Sequence, residues 1–212
     1  KIKFTTRIRK GPYWHLAVQA GCWAFATYNH MYHPRAYVKL EDGGLMKEYE
    51  YITHDVTMWD VAVERQIRVK GPDAVAFVDR LITRDVEKKL PVNKARYVIL
   101  CNQKGGIIND PVLLRTAQDE FRFSISDSDV LLWAQGVNAA GEYDVDIDEV
   151  DISPVQIQGP KSVDLMKKLF GEQIVGMKYY TILQTEFDGM KVDISRTGFS
   201  AEVGFEIYLH EA

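Results

Sequence analysis

Residues 67–82 read "IRVKGPDAVAFVDRLI", and residues 155–170 read "VQIQGPKSVDLMKKLF". In both stretches, alternating apolar residues indicate a strand, Gly-Pro indicates a turn, and apolar residues at helical spacing indicate a helix. We expect Pro72 and Pro160 to open these helices. The residues predicted to form the apolar faces are Ala74, Val78, Leu81 and Ile82 in the first helix and Val163, Met166, Leu169 and Phe170 in the second. A strand–turn–helix unit that occurs twice predicts two similar halves built on antiparallel sheets.

Short strand and helix patterns alternate along the rest of the chain, which predicts an α+β fold rather than a doubly wound parallel sheet. We expect the halves at about residues 50–150 and 151–212 plus the amino-terminal segment. The predicted elements are a hairpin over 96–115 that turns at Gly105-Gly106, a strand Phe121–Ile125, a helix Val130–Ala140 ended by Gly141, a hairpin over 182–196 that turns at Asp188-Gly189, and a strand Phe205–Leu209. No closing helix follows that last strand, so we expect the chain to be part of a longer protein.

The first 60 residues are less regular. A helix is expected around Leu16–Ala20 and a loop at Gly43-Gly44, and the many aromatic side chains of this segment are expected in the core. His30 and His33 have no third ligand at metal-site spacing, so no metal is predicted there.

Composition limits the classes of function. The net charge of -4 and the isoelectric point near 5.8 provide no electrostatic attraction to nucleic acid. No run of 18 apolar residues is present, so no segment is predicted to span a membrane. Cys22 and Cys101 are far apart, which favours a reduced, cytoplasmic protein over a disulfide scaffold.

Asp110 stands out in the stretch Ile99–Leu114, "ILCNQKGGIINDPVLL". A carboxylate inside an apolar run is costly to bury unless it is paired, hydrogen-bonded or used in chemistry. Pro111 forces extended backbone before it, and the Gly105-Gly106 turn allows close approach of another molecule. From the pattern alone, a catalytic carboxylate and a structural one that binds neighbouring N–H groups both remain open.

Glu206 is the second candidate, in the strand pattern of "RTGFSAEVGFEI". A buried carboxylate there could accept hydrogen bonds from a planar edge with two donors, such as that of a pterin. Strand alternation could equally direct Glu206 to water.

Three motifs in the same order resemble the glycine-cleavage T-protein (aminomethyltransferase) family. "RYVILCNQKGGIINDPV" resembles its folate-binding hairpin, "PVQIQGPKS" its LxVQGP turn, and "RTGFSAEVGFEIYL" its RTGYTGEDGFEI signature. The resemblance covers about residues 26–212. Within the family, "YNHM", "WDVAVERQIRVKGPDA" and "ISDSDVLLWAQGV" are most similar to dimethylsulfoniopropionate demethylases, which transfer a methyl group from a sulfonium to tetrahydrofolate.

The resemblance assigns roles to five residues of this chain. It implies that Asp110 is catalytic, near folate N5, that Tyr97 and Ser124 contact the cofactor tetrahydrofolate, and that Glu206 recognises the pterin. Phe199 occupies the place of an aromatic residue beside the reacting methyl, although Phe lacks the polar group of the usual Tyr or Trp. The chain also departs from the family at Ala201-Glu202-Val203, where Gly-Glu-Asp is usual, and the resemblance leads us to expect that these 212 residues do not include the family's carboxy-terminal barrel domain.

The function implied by this resemblance is that of an enzyme, a tetrahydrofolate-dependent methyltransferase acting on a sulfonium. The alternatives are an aminomethyltransferase of a glycine-cleavage system and a folate-binding module without turnover. The expected partner is a small-molecule methyl donor, with no nucleic acid and no membrane, and the oligomeric state stays open. If the roles are right, Tyr97, Asp110, Ser124 and Glu206 should line one cavity.

Overall fold

The computed structural model describes residues 7–210. Its strands are β1 (Ala24–Tyr28), β2 (Met31–Ala36), β3 (Thr57–Asp60), β4 (Gln66–Lys70), β5 (Lys94–Tyr97), β6 (Leu100–Cys101), β7 (Ile107–Asn109), β8 (Val112–Ala117), β9 (Glu120–Ser124), β10 (Asp146–Val150), β11 (Ile152–Gln158), β12 (Ile182–Phe187), β13 (Met190–Ser195) and β14 (Gly204–His210). Its α-helices are α1 (Trp14–Gln19), α2 (Gly44–His54), α3 (Ala74–Leu81), α4 (Val86–Lys89), α5 (Val130–Val137) and α6 (Ser162–Phe170).

Two five-stranded antiparallel sheets organise these elements. The first sheet has the order β10-β4-β9-β8-β5, and the second has the order β3-β11-β14-β13-β12. Strand for strand the two orders correspond, since β4 and β11 are the two repeat strands and each is followed by the Gly-Pro turn and a helix. The prediction of an α+β fold with two antiparallel halves is therefore confirmed.

The two halves exchange their edge strands. β3 directly precedes β4 in the chain, yet it pairs with β11 in the second sheet, with Trp59 opposite Gln156. β10 directly precedes β11, yet it pairs with β4 in the first sheet, with Ile147 opposite Val69. Residues Thr57–Asp60 were expected in the half that spans about residues 50–150. In the structure they lie in the sheet of the later half. Pairing between distant strands depends on tertiary packing, which local periodicity does not encode.

In both repeats the proline lies in a turn ahead of the helix rather than in its first turn. The amide of Ala74 donates to the carbonyl of Gly71 at 3.0 Å, and the amide of Ser162 donates to the carbonyl of Gly159 at 2.9 Å. Proline thus occupies the second position of a β-turn, which its fixed φ suits. The expectation that Pro72 and Pro160 open the helices is corrected to this extent.

The helix faces agree with the pattern except at two positions. α3 buries Ala74, Phe77, Val78 and Leu81, whereas Ile82 lies beyond the helix end in an extended conformation. In α6, Met166 is buried and Val163 and Phe170 pack against the core, but Leu169 is 41% exposed. The helix predicted over Val130–Ala140 ends earlier, at Val137, because its backbone turns off the helix at Asn138.

The amino-terminal segment differs most from expectation. The helix expected around Leu16–Ala20 is present as α1, but α2 was not predicted, and Gly44 begins it rather than continuing a loop. His30 lies in the β1–β2 turn with φ 60°, so it shares no helical face with His33. Several aromatic residues expected in the core are at least one-third exposed, namely Trp23, Tyr37, Tyr49, Tyr51 and Trp59.

Gly71 provides a direct test of the repeat turn. Its φ is 148°, and a Cβ at this position would lie 2.5 Å from the carbonyl oxygen of Asp144. We therefore expect Gly71→Ala to lower the free energy of unfolding by at least about 2 kcal/mol, measured by urea denaturation. Gly136→Ala is the control, because Gly136 lies in α5 with no atom near its would-be Cβ, and it should raise stability by about 0.5–1 kcal/mol. Equal effects of the two substitutions would contradict the close approach seen at Gly71.

Within residues 7–210, no helix is both long enough and apolar enough to cross a membrane. Cys22 and Cys101 both carry free thiols.

Candidate active site

A layer of buried polar side chains lies between the two sheets. Strand alternation produces it, because Phe121 and Phe123 pack against α3 while Arg122 and Ser124 point the other way. In the second sheet, Phe205 and Ile207 pack in the core beside α6, and Glu206 and Tyr208 point the other way. The guanidinium of Arg122 binds Asp193 of β13 at 2.8 Å, which joins the two polar faces directly.

Glu206 is the best-connected group of this layer and is only 3% exposed. Its Oε1 accepts a hydrogen bond from Gln156 Nε2 at 2.7 Å, and its Oε2 accepts one from the hydroxyl of Tyr208 at 3.0 Å. The hydroxyls of Thr197 and Ser195 also donate to Oε2. The side chain therefore faces the interior, and the alternative in which it points to water is wrong.

Ser124 connects to a carboxylate that the sequence patterns did not indicate. Its hydroxyl donates to Glu64 Oε2 at 3.0 Å and accepts from Gln66 Nε2 at 2.8 Å. Gln66 is 1% exposed, and its Oε1 has no hydrogen-bond partner within the described residues. An unpaired buried acceptor is costly, so this oxygen marks a place where a donor from a bound molecule would be stabilising.

Asp110 is exposed, and the premise that the apolar hairpin buries it is wrong. The buried residue of the pair is Asn109, whose side-chain amide binds the carbonyl of Ser126 at 2.9 Å and the hydroxyl of Ser128 at 2.8 Å. Adjacent residues of extended backbone point to opposite sides, so Asn109 anchors the hairpin and Asp110 faces outward.

Two hydroxyl groups hold the Asp110 carboxylate in place. Tyr97 donates to Oδ2 at 3.0 Å, and Ser126 donates to Oδ1 at 2.5 Å. Tyr97 lies at the end of β5 opposite Val112, and Asp110 lies between β7 and β8. The predicted proximity of Tyr97 and Asp110 is thus observed, with the carboxylate oriented but accessible.

Two tyrosines link the Asp110 cluster to the buried layer. Burial raises the pKa of Tyr28, and the negative charges of Glu64 and Asp110 raise it further, so this phenol lies near both carboxylates. Burial, the neighbouring Tyr179 and the charge of Glu206 raise the pKa of Tyr180 to about 12, while the backbone N–H of Tyr97 donates to its oxygen. Tyr28 is thus within reach of the charges of Asp110 and Glu64, and Tyr180 is within reach of the charge of Glu206 and contacts the backbone of Tyr97.

Phe199 differs from the other four predicted site residues. It is 95% exposed, on the loop between β13 and β14. The next residue, Ser200, holds this loop in place, because its hydroxyl donates a hydrogen bond to Gln158 Oε1 at 2.6 Å. The ring of Phe199 therefore lies outside the buried layer.

A separate cavity of about 490 Å³ lies among residues 33–60 and is lined by none of the five predicted site residues. Among residues 7–210, no group of three or more His, Cys, Asp or Glu side chains is arranged to hold a metal ion.

The model of the GCVT N-terminal domain family matches residues 13–212 of this chain. The chain belongs to the GCVT N-terminal domain family. The layer between two repeat sheets is thus the interior of a GCVT N-terminal domain.

Curated relatives differ in the activity that they are named for. The dimethylsulfoniopropionate demethylase of Ruegeria pomeroyi is 34% identical over 204 residues, which are 96% of this chain and 54% of that protein. The aminomethyltransferase of Thermotoga maritima is 31% identical over 170 residues, which are 78% of this chain and 46% of that protein. The chain therefore spans about half the length of the curated relatives that it matches.

A solved structure has the same fold. The glycine cleavage system aminomethyltransferase T of Bartonella henselae matches with a TM-score of 0.80 and 23% identity, over 96% of this chain and 54% of that one. The expected T-protein-like fold is confirmed.

Sequence reasoning missed several residues of this site, chiefly Glu64, Gln66, Tyr28, Thr197 and Asn109. Glu64 lies within the quoted stretch "WDVAVERQIRVKGPDA", but it follows β3 in a turn where no periodicity marks its direction. Asn109 stood beside Asp110 in the same motif, and strand alternation could have separated their roles.

Proposed function

We propose that this chain forms the folate-binding part of a tetrahydrofolate-dependent methyltransferase that takes its methyl group from a sulfonium, such as dimethylsulfoniopropionate. The observation that supports this proposal most strongly is the negative charge of the site. The charges of Glu64 and Asp110 act on the phenol of Tyr28, and the charge of Glu206 acts on the phenol of Tyr180. No Lys or Arg side chain within residues 7–210 forms an ion pair with any of the three carboxylates, although the guanidinium of Arg96 lies over the ring of Tyr180 at 5.8 Å. Such surroundings favour a cationic small molecule.

The residues present fit tetrahydrofolate. A pterin presents neighbouring N–H donors along one edge, and Glu206 is a buried carboxylate on the inner side of the layer. The unpaired Oε1 of Gln66 is a second acceptor, beside Ser124. When bound, tetrahydrofolate supplies the nucleophilic nitrogen N5.

The proposed roles follow from position. Asp110, held by Tyr97 and Ser126, stabilises positive charge at N5 and accepts the proton, directly or through water. Glu206 binds and orients the pterin edge, and Tyr97 and Ser124 contact the cofactor. Aromatic faces hold the sulfonium by cation–π attraction, and we assign this role to Tyr28, on which the charges of Glu64 and Asp110 act, and to the exposed ring of Phe199. A sulfonium carries its own leaving group, so no general acid is needed.

The alternative is aminomethyl transfer, which the names of relatives such as the Thermotoga maritima aminomethyltransferase favour. The test is to incubate the purified protein with tetrahydrofolate and dimethylsulfoniopropionate and to measure 5-methyltetrahydrofolate by mass spectrometry. Formation of that product supports the proposal. Turnover only with an aminomethyl donor supports the alternative, and folate binding without turnover of either donor supports a binding module.

Glu206→Gln should weaken tetrahydrofolate binding by about 10–100-fold, because a neutral amide replaces the charged acceptor of the pterin edge. Titration calorimetry measures the dissociation constant, and thermal unfolding must be measured beside it, because Glu206 also accepts bonds from Tyr208 and Thr197. Glu186→Gln, on the exposed edge strand β12, is the matched control and should change neither quantity. An unchanged dissociation constant in a folded Glu206→Gln protein contradicts the pterin role.

A further inference from the structure

Asn29 is a buried polar residue that the proposed chemistry leaves without a role. It lies in the turn between β1 and β2, within the stretch "YNHM". Its φ is 48°, in the left-handed region that Asn adopts more readily than most residues, and only 2% of its surface is exposed. A buried amide in this conformation costs free energy unless its hydrogen bonds offset the cost, so its contacts need an explanation.

The contacts of Asn29 join three segments of the chain. Its Nδ2 donates to the carbonyl of Val63 at 2.9 Å, in the turn between β3 and β4, and to the carbonyl of Ser126 at 3.3 Å, in the loop between β9 and α5. Its backbone N–H donates to Asp127 Oδ1 in the same loop at 2.8 Å. The β1–β2 turn therefore holds both the turn that carries Glu64 and the loop that carries Ser126.

Asn109 holds the same serine from the side of the hairpin. The Ser126 N–H donates to Asn109 Oδ1 at 3.1 Å, and Asn109 Nδ2 donates to the Ser126 carbonyl at 2.9 Å. That carbonyl therefore accepts from two buried amide groups, those of Asn29 and Asn109. With its backbone N–H and C=O both bonded, Ser126 directs its hydroxyl to Asp110 Oδ1 at 2.5 Å.

The Ser126 backbone is thus the link between Asn29 and the Asp110 carboxylate. The other carboxylate oxygen, Oδ2, accepts the hydroxyl of Tyr97 at 3.0 Å. Donors on both oxygens fix the position and the rotation of the carboxylate, whereas a single donor allows it to swing about one bond. A displaced Ser126 would leave the carboxylate held by Tyr97 alone.

We propose that Asn29 is a positioning residue for methyl transfer, which acts through the Ser126 backbone on the orientation of the Asp110 carboxylate. The inference rests on the proposed function and adds a residue whose buried amide is already bonded to Val63 and Ser126. Because Asn29 is buried, removing its side chain should change the rate of transfer rather than the binding of tetrahydrofolate.

The experiment measures kcat and the KM for tetrahydrofolate in Asn29→Gly, with dimethylsulfoniopropionate as donor. Glycine accepts a left-handed φ, so this substitution removes the amide and keeps the turn. We expect kcat to fall by about tenfold at unchanged KM, because misplacement of a reacting group is costly in rate. Asn93→Gly is the matched control, since Asn93 has a φ of 62° and is exposed, and it should keep the kcat of the parent.

A double-substitution cycle tests whether the loss passes through Asp110. If Asn29 orients the carboxylate, Asn29→Gly should cost little further rate once Asp110→Asn has removed the charge, so the two losses should not multiply. Losses that multiply, or a kcat in Asn29→Gly within twofold of the parent, overturn the inference and leave the methyltransferase proposal intact. A raised KM at unchanged kcat also overturns it, because Asn29 would then support binding.

Ser126 tests the same link at its other end, and it decides the question if Asn29→Gly does not fold. Ser126→Ala removes the hydroxyl that reaches Asp110 and should lower kcat by about tenfold. Ser126→Thr keeps a hydroxyl and should restore most of the rate. An unchanged kcat in Ser126→Ala, or no recovery in Ser126→Thr, overturns the inference.

Amide hydrogen exchange provides a readout that does not depend on the donor. The Ser126 N–H should exchange faster in Asn29→Gly than in the parent or in Asn93→Gly, because the loop loses one of its two amide partners. Unchanged exchange at Ser126 overturns the inference. Absence of turnover with every donor overturns the proposed function and the role in transfer together, and faster exchange would then assign Asn29 a purely structural role.

Discussion

Asp110→Asn is expected to slow methyl transfer by about 10²–10³-fold while leaving tetrahydrofolate binding nearly unchanged. The substitution keeps the size of the side chain, and one of the two hydroxyls of Tyr97 and Ser126 can still donate to the amide oxygen while the other accepts from the amide NH₂. It removes the charge that stabilises a developing cation. Turnover at saturating donor and folate measures kcat, and calorimetry measures folate affinity.

Stability distinguishes catalysis from structure in this variant. Because Asp110 is exposed, Asp110→Asn should unfold at the same urea concentration as the parent. Asp188→Asn is the matched control, since Asp188 lies in the β12–β13 turn with φ 50°, a conformation that Asn adopts well. A kcat within twofold of the parent would refute the catalytic role, and parallel losses of stability and activity would assign Asp110 a structural one.

Asp193→Asn is expected to lower the free energy of unfolding by about 3–5 kcal/mol at neutral pH. Asp193 is 1% exposed and binds both Arg122 at 2.8 Å and His210 at 3.0 Å. Removing the carboxylate charge leaves the guanidinium of Arg122 buried without its counter-ion, at the place where the two sheets are joined. Urea denaturation measures the loss.

The pH dependence of stability provides a further check on the same group. Burial alone would raise the pKa of Asp193, but the hydrogen bond with His210 and the charge of Arg122 outweigh it and lower the pKa. A lowered pKa in the folded state means that this stabilisation is complete above the pKa of the unfolded chain, near about 4, and is lost as pH falls through the folded value. The Asp193→Asn protein should therefore lose less stability between pH 5 and pH 2 than the parent.

The control is Asp55→Asn, which breaks a pair between Asp55 and Lys161 whose side chains are both more than half exposed. Screening by solvent makes such a pair worth about 0.5 kcal/mol or less. If Asp55→Asn and Asp193→Asn cost the same, the pair between the sheets does not stabilise the fold as proposed.

Much of the fold could be predicted because local patterns decide it. Alternation identified the strands around Phe121–Ile125 and Phe205–Leu209, and the Gly-Pro repeat identified two equivalent halves. These features depend only on neighbours in the chain, where side-chain period and turn chemistry act directly. The predicted helix end at Ala140 and the predicted burial of Leu169 were wrong, because neighbouring elements rather than the helix itself decide such details.

The candidate site was predictable only in part. Asp110 and Glu206 were identified from their residue patterns, Tyr97 and Ser124 by resemblance to a family, and the roles of all four stay predictions. Which carboxylates are buried was not readable from the pattern. Asp110 sits in an apolar run yet is exposed, whereas Glu206, with the same kind of neighbours, is buried.

The sequence by itself therefore determined the strand–turn–helix repeat, the antiparallel character of the sheets and the family, because these follow from periodicity and from motifs in order. Tertiary structure alone decided the exchange of β3 and β10 between the sheets, the burial of Glu206 with four donors, and the placement of Glu64 against Ser124. Each of these depends on contacts between residues distant in the chain, where desolvation and the supply of hydrogen-bond donors set the energy. Both quantities exist only once the two sheets have packed face to face.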